Sequence, residues 1–160
     1  MKTNFKKSQK GFTIIEVLIV LAIAGLILLI VFLAVPALQR NSRNTQVRND
    51  VAAVLGMISE FQTNNNGSLP TAVCSDTAGN VNMISTGTCA ASATARVGQV
   101  NGSTSVSSGT TMPTATATIV VALNRGCTGT DFSTGTSNRV IAAGYRAETS
   151  NGSTPQCQQS

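Results

Sequence analysis

An uncharged run from Val17 to Leu38 constrains the fold of this chain more than any other feature. The run contains 22 residues, and a helix of about 20 apolar residues crosses the hydrocarbon core of a bilayer. It therefore predicts a membrane-spanning helix. Glu16 lies at its start. Because a carboxylate at bilayer depth costs on the order of a few kcal/mol, Glu16 is a candidate functional residue.

The residues before the apolar run are basic. Residues 1–11 read MKTNFKKSQKG and contain four lysines and no acid. A basic leader followed by an apolar stretch resembles a secretory signal peptide. The small-residue cleavage pattern after the run is poorly met, because Pro36 separates Ala34 from Ala37. The alternative is a cut before the apolar run, between Gly11 and Phe12.

The segment KGFTIIEVLIVLAIAGLIL resembles the N-terminus of type IV prepilins and of the related pseudopilins of type II secretion. The resemblance covers about the first 45 residues of the chain. It implies that a membrane-embedded prepilin peptidase cuts after Gly11 and methylates the new N-terminal residue, Phe12. It also implies that Glu16 is the carboxylate on which assembly depends.

Elementary electrostatics supports the role of Glu16. A cut after Gly11 frees the amine of Phe12 about one helical turn from Glu16, so the two can pair within one chain or between neighbouring chains. Pairing opposite charges in a medium of low dielectric offsets much of their desolvation. We therefore predict that Glu16 selects the alignment of neighbouring helices, while the aliphatic surface supplies adhesion. The alternative is a glutamate that reaches the lipid headgroups near the helix end.

The helix is predicted to continue beyond the apolar run, from about Phe12 to Asn64. Gly67 is the predicted C-terminal cap, and Gly25 and Pro36 are the positions at which the helix is predicted to kink. Apolar residues recur at spacings of three and four in its second half and predict a face that covers a globular head. These residues are Val47, Val51, Val54, Leu55, Ile58 and Phe61.

The remainder of the chain predicts a small β-rich head. The strongest strand candidate is 115–123, followed by 139–148 and, more weakly, 95–100, with the polar tract 103–111 as a loop. Short sequential strands favour an antiparallel sheet. The predicted fold class is α+β and type IV pilin-like, with a long N-terminal helix packed on a small antiparallel sheet. The predicted divisions are a leader at 1–11, a transmembrane or filament-core helix at 12–38, an amphipathic helix at 39–66 and a head at 67–160.

Four cysteines in the predicted head indicate disulfides. They allow three pairings, and sequence order favours Cys74 with Cys89 and Cys127 with Cys157. Each bond would stabilise the fold by ~3 to 4 kcal/mol on the chain-entropy model. A metal site is the competing interpretation, but the chain has no histidine and no CxxC pair, so we predict no metal. Disulfides indicate that the head lies outside the cytoplasm.

The net charge of the chain gives little support for a nucleic-acid-binding function. The formal net charge is +5, but four of the eleven basic residues are leader lysines, so the rest of the chain holds seven arginines and six acids. Arg40, Arg43 and Arg48 follow the apolar run. We predict that they are interfacial anchors or ion-pair partners between subunits; the alternative is a DNA groove.

No catalytic pattern is present in the sequence. The acidic residues are scattered, and the serines lack a nucleophile-elbow motif. We therefore predict a protein that is not an enzyme and needs no cofactor. The three Asn-Gly-Ser triplets, at Asn66, Asn101 and Asn151, match a glycosylation sequon, although turn chemistry explains them more simply.

The resemblance implies the structural subunit of a type IV pilus that serves adhesion, surface motility or DNA uptake. The precursor would cross the cytoplasmic membrane once, with its N-terminus inside, and the product would be an extracellular homo-oligomeric helical filament. Implied partners are prepilin peptidase, an assembly ATPase with its inner-membrane platform, lipid before assembly and, less directly, DNA or a host surface. One alternative is a pseudopilin of a type II secretion or competence system. Another is a membrane-anchored extracellular binding module that never polymerises.

Overall fold

The computed structural model describes residues 11–87, 89, 96–135 and 139–160. The chain divides into two compact units, Met1–Gln39 and Arg40–Ser160, which we call the N-terminal unit and the head. Of the predicted leader, residues 1–10 lie outside the described residues and Gly11 lies within them. Of the strand predicted at 95–100, only residue 95 lies outside them.

One helix, α1, spans Ile14–Asn64 and contains 51 residues. The helix predicted from the sequence is therefore confirmed. It runs without interruption through Gly25 and Pro36, and the kink predicted at these two positions stays a prediction. Just beyond its end, Asn66 and Gly67 adopt positive φ angles of 54° and 78°. The amide of Gly67 donates to the carbonyl of Gln62 at 2.7 Å, which satisfies one of the carbonyls that a helix end leaves without a partner.

The head is built on a sheet of seven strands in the order β3-β2-β1-β4-β5-β8-β9, and β6 and β7 form a separate hairpin. Neighbouring strands are antiparallel except β4 and β5, which are parallel. The strands are β1 (Ala72–Ser75), β2 (Asn80–Ile84), β3 (Arg96–Gln99), β4 (Ser105–Ser108), β5 (Thr118–Leu123), β6 (Cys127–Thr128), β7 (Asp131–Phe132), β8 (Ile141–Thr149) and β9 (Gly152–Gln159).

Three strands correspond to those predicted, namely β3, β5 and β8. The loop predicted at 103–111 is wrong, because it contains β4. In β4 only Val106 is buried, so the strand lacks the apolar alternation that marks one in a sequence. It is held by its neighbours instead, since Ser107 lies opposite Cys74 of β1 and Val120 of β5.

The core lies between the second half of α1 and one face of the sheet. Val54 and Ile58 of the helix and Ile119 and Val121 of β5 are each 0% exposed and belong to one apolar cluster. Alternate residues of β5 face the other way: Val120 belongs to a second cluster. Because both faces of β5 are covered, its sequence is almost continuously apolar.

The second face of the sheet is covered by the segment between β4 and β5 and by the β6–β7 hairpin. Phe132 and Met112 pack there, and a methyl group added at Gly144 would lie 2.8 Å from the Phe132 ring and 2.5 Å from the Met112 sulfur. Glycine at this position lets the covering side chains approach the strand. The cluster therefore depends on a residue with no side chain.

Two disulfides close the head, Cys74–Cys89 and Cys127–Cys157. This is the pairing that sequence order favours. The second joins β6 to β9, the edge strand next to β8. Pro155 lies in β9 opposite Arg146, in a pair that the alternation of the ladder makes non-hydrogen-bonded. Its missing N–H therefore faces away from β8, the place where an edge strand tolerates proline.

Replacing Ile58 by alanine tests the core. We expect Ile58→Ala to lower the free energy of unfolding of the head by about 2 to 5 kcal/mol, because a fully buried side chain would leave a cavity. The chain has one tyrosine and no tryptophan, and Tyr145 is buried in the same cluster. Its fluorescence during denaturation in detergent therefore reports on the head.

The control is Glu60→Ala, an exposed change on the same helix, which should change the free energy of unfolding by about 0.5 kcal/mol or less. Equal effects of the two substitutions would contradict the packing described.

Candidate functional site

The start of α1 has a capping box. The Glu16 carboxylate accepts hydrogen bonds from the backbone N–H and from the hydroxyl of Thr13, both at 2.8 Å, and the Glu16 amide donates to the Thr13 hydroxyl at 3.3 Å. A threonine at the N-cap and a glutamate three residues later satisfy each other's backbone amides. Thr13 and Glu16 therefore begin the helix from within the chain.

This local role of Glu16 was not predicted. The signal was present, because residues 13–16 read Thr-Ile-Ile-Glu and match the S/T-x-x-E pattern of a capping box. The predicted pairing of Glu16 with the amine of Phe12 requires a cut after Gly11 and stays a prediction; in the uncut chain Thr13 donates to the carboxylate. Glu16 thus caps the start of α1 within its own chain, whatever contacts it makes with other chains.

The rest of the N-terminal unit presents apolar side chains outward. Every residue from Gly11 to Gln39 is exposed, with relative exposures that include 89% at Phe12 and 60% at Leu26. By length and composition α1 can cross a membrane. A continuous apolar surface of this size marks a site that lipid or another protein covers. No charged side chain interrupts it between Glu16 and Arg40.

Beyond the apolar run, Arg43 forms an ion pair within its own chain. Its guanidinium donates to the Glu148 carboxylate from Nη2 at 2.7 Å and from Nε at 2.9 Å and 3.1 Å. The amide side chain of Asn44 lies beside this pair, and it bonds both the N–H and the C=O of Glu148. These contacts tie α1 to the end of β8. Arg43, which the sequence suggested as a membrane anchor or as a partner between subunits, is engaged inside the head.

The ion pair perturbs both of its members. Hydrogen bonds from Arg43, aided by its charge and that of Arg40, lower the pKa of Glu148 against the opposing effect of partial burial. The hydrogen bonds with Glu148 and its charge likewise raise the pKa of Arg43. Because the Arg43 side chain is 54% exposed, solvent weakens the interaction. Its main effect is therefore to fix the position of the β8 end.

Comparison with protein families matches residues 6–32 to the prokaryotic N-terminal methylation motif. This is the prepilin-type cleavage and methylation signal of type IV pilins and pseudopilins, so the resemblance seen in the sequence is confirmed. Comparison with curated proteins and with solved structures gives no match. The motif includes Gly11, Phe12 and Glu16. It supports a protein of the pilin or pseudopilin type, points to a structural protein rather than an enzyme, and implies processing by a prepilin peptidase.

The lowered pKa of Glu148 predicts an acid-dependent contribution to stability. Unfolded glutamate titrates near about 4.3, and the folded value is lower. The contribution is therefore complete above the unfolded pKa and is lost as pH falls through the folded one. We expect Glu148→Gln to lower the thermal midpoint of the head at neutral pH and to make less difference in acid. Melting curves of the variant and the unchanged chain, recorded at neutral pH and in acid, measure this difference in thermal midpoint. Glu60→Gln, an exposed matched control, should keep the acid dependence of the unchanged chain, and a Glu148→Gln deficit of the same size in acid would contradict the assignment.

Proposed function

We propose that the processed chain is the structural subunit of a type IV pilus, held in the filament by the N-terminal half of α1. The observation that carries this proposal is the exposed surface from Val17 to Leu38, headed by one carboxylate, on a helix that bears the methylation motif. An apolar surface alone fits any membrane anchor. The carboxylate at its head favours assembly between copies.

The argument from Glu16 is one of charge. Among the residues that the structure describes, the donors to this carboxylate belong to Thr13 and are neutral. A cut after Gly11 would place a cationic amine on every copy, at Phe12. When one helix shifts along another, that amine meets the carboxylate of its neighbour, and the ion pair in a low-dielectric bundle is stronger than a neutral hydrogen bond. Apolar contacts do not select one alignment, whereas a single pair of charges does.

The route to the filament follows from the same features. The four lysines at 1–11 and the two disulfides of the head support a precursor whose N-terminus is cytoplasmic and whose head is outside. A prepilin peptidase would remove the leader. An assembly ATPase with its membrane platform would then move subunits from lipid into the filament. The filament would serve adhesion, surface motility or DNA uptake.

Processing has a direct test. We expect protein sheared from the cell surface to have a mass that starts at Phe12 and includes one added methyl group. All four lysines lie within residues 1–11, so the only amine of the processed chain is the one at its N-terminus. A reagent for amines should therefore attach once per subunit, and electron microscopy should show filaments in the same fraction. Assembled material that keeps the lysines and carries several labels would reject the proposal.

Replacing Glu16 by glutamine separates the charge from the cap. Glutamine also completes a capping box, so Glu16→Gln should leave α1 intact but remove the charge that pairs with Phe12. We expect the variant to be made, inserted and cleaved while filaments are lost, and Glu16→Leu to behave in the same way. Immunoblots of membrane and sheared fractions, with electron microscopy, measure both steps.

Thr13→Ala is the matched control. It removes the hydroxyl that takes part in the cap but keeps the carboxylate and the backbone donor of residue 13. We expect filaments from Thr13→Ala. If filaments form from Glu16→Gln but not from Thr13→Ala, Glu16 serves only the helix start. If all three variants assemble, the chain behaves as a module that does not rely on this charge, and the assignment of Glu16 is overturned.

A further inference from the structure

Three identical Asn-Gly-Ser triplets lie in turns of the head, and their asparagines, Asn66, Asn101 and Asn151, are exposed. Asparagine followed by glycine can cyclise when the glycine nitrogen attacks the side-chain amide, because glycine offers no side chain to obstruct the approach. The three triplets share this chemistry. Their hydrogen bonds differ, and the difference decides which of them is ready to react.

At Asn101, hydrogen bonds activate the electrophile, which is the carbonyl group of the side-chain amide. Its side-chain oxygen accepts hydrogen bonds from the backbone N–H of Ser103 at 3.0 Å and from the Ser103 hydroxyl at 2.8 Å. This is an Asx-turn, a ring that the Asn101 side chain closes across the peptide of Gly102 by bonding to Ser103. Two donors on one oxygen stabilise the negative charge that develops there during attack, in the manner of an oxyanion hole.

The nucleophile at this triplet is also free. Within the described part of the chain, the Gly102 nitrogen donates no hydrogen bond, and it lies outside the strands. Asn101, Gly102 and Ser103 are all exposed, so water can take the amide proton and hydrolyse the product. The turn is held at its other end, because the N–H of Thr104 donates to the Asn101 carbonyl at 2.8 Å.

Each of the other two triplets lacks either the free nucleophile or the activated electrophile. At Asn66 the nucleophile is occupied, since the Gly67 nitrogen donates to the Gln62 carbonyl at 2.7 Å in the cap of α1. At Asn151 the electrophile is not activated, because its side chain has no hydrogen-bond partner among the described residues. Gly152 is moreover fixed in the ladder opposite Thr149.

We propose that Asn101–Gly102 is a self-modifying site of the head. The Gly102 nitrogen forms a bond to Cγ of Asn101 and gives its proton to water, water returns a proton to Nδ2, the bond from Cγ to Nδ2 breaks, and ammonia leaves. The product is a five-membered succinimide. Water then opens either carbonyl of the ring to give aspartate or isoaspartate at position 101. Water is the only co-reactant, and no oxidation state changes.

The reaction alters a contact between α1 and the sheet. Asp50 of the helix is buried, with its carboxylate accepting from the Thr104 hydroxyl at 2.7 Å and from the Asn101 backbone N–H at 3.4 Å. A carboxylate at position 101 adds negative charge to the residue whose backbone N–H donates to Asp50, and like charges repel. Isoaspartate also lengthens the backbone between residue 101 and Thr104. Modified copies therefore hold this loop on α1 less tightly.

The test compares the three triplets in one protein. The full chain, purified in detergent, is kept in warm, mildly alkaline buffer, and peptide mass spectrometry with isoaspartate detection follows each asparagine with time. We expect Asn101 to convert first, Asn151 later and Asn66 last. In denaturant the triplets should react at similar rates, because their reacting residues are the same. Faster conversion of Asn66 or Asn151 than of Asn101 in the folded chain would overturn the proposal.

Two variants separate the conditions at Asn101. Ser103→Ala removes one donor from the side-chain oxygen, and we expect roughly a tenfold slower reaction at Asn101 with no change at Asn151. Gly102→Ala should slow the reaction markedly without disturbing the loop, since the nearest atom to the added methyl is the Ala78 carbonyl oxygen at 3.5 Å. Unchanged tyrosine fluorescence on denaturation verifies folding of both. An unaltered rate at Asn101 in either variant contradicts the mechanism.

Discussion

The apolar surface between Val17 and Leu38 is exposed among the residues that the structure describes, and the other features of the molecule depend on this constraint. The two halves of α1 differ in how their apolar side chains are removed from water. In its second half Val54 and Ile58 are removed from water by the sheet. In its first half the side chains remain exposed, and burial has to come from lipid or from other copies. The described chain therefore buries the apolar residues of its head but leaves those of its N-terminal unit exposed.

The capping box gives the Glu16 carboxylate of the motif a second, local role at the start of α1. Thr13 and Glu16 begin α1 with donors and acceptors of the same chain. The helix start is thus ordered before any neighbour arrives, and ordering it adds no entropy loss to assembly. The carboxylate that serves the cap is the one proposed to meet an amine on another copy. Local and intermolecular uses of one side chain are compatible because a carboxylate has two oxygens and about four acceptor positions.

The sequence predicts those parts of the structure whose signal is local. The length of α1, its apolar face and its end at Gly67 follow from composition, periodicity and cap chemistry, and β5 and β8 follow from their buried valines, isoleucines and alanines. Other strands depend on partners. Within β9, Pro155 and three glutamines argue against a strand, and only pairing with β8 along its length makes one. The alternation of Val81 and Met83 in β2 was a readable signal that the strand prediction missed. The ion pair of Arg43 with Glu148 joins residues 105 positions apart, so no local pattern reveals it.

The disulfide from Cys127 to Cys157 has a consequence for resistance to proteolysis. It encloses the β6–β7 hairpin and β8, and residues 128–130 within the loop are exposed. Exposed loop tips are where proteases cut first. A single cut between the two cysteines would leave both fragments covalently joined, with β9 still paired to β8 in the sheet. A chain cut in this exposed loop would therefore remain one molecule, and the cut would not release its C-terminal end.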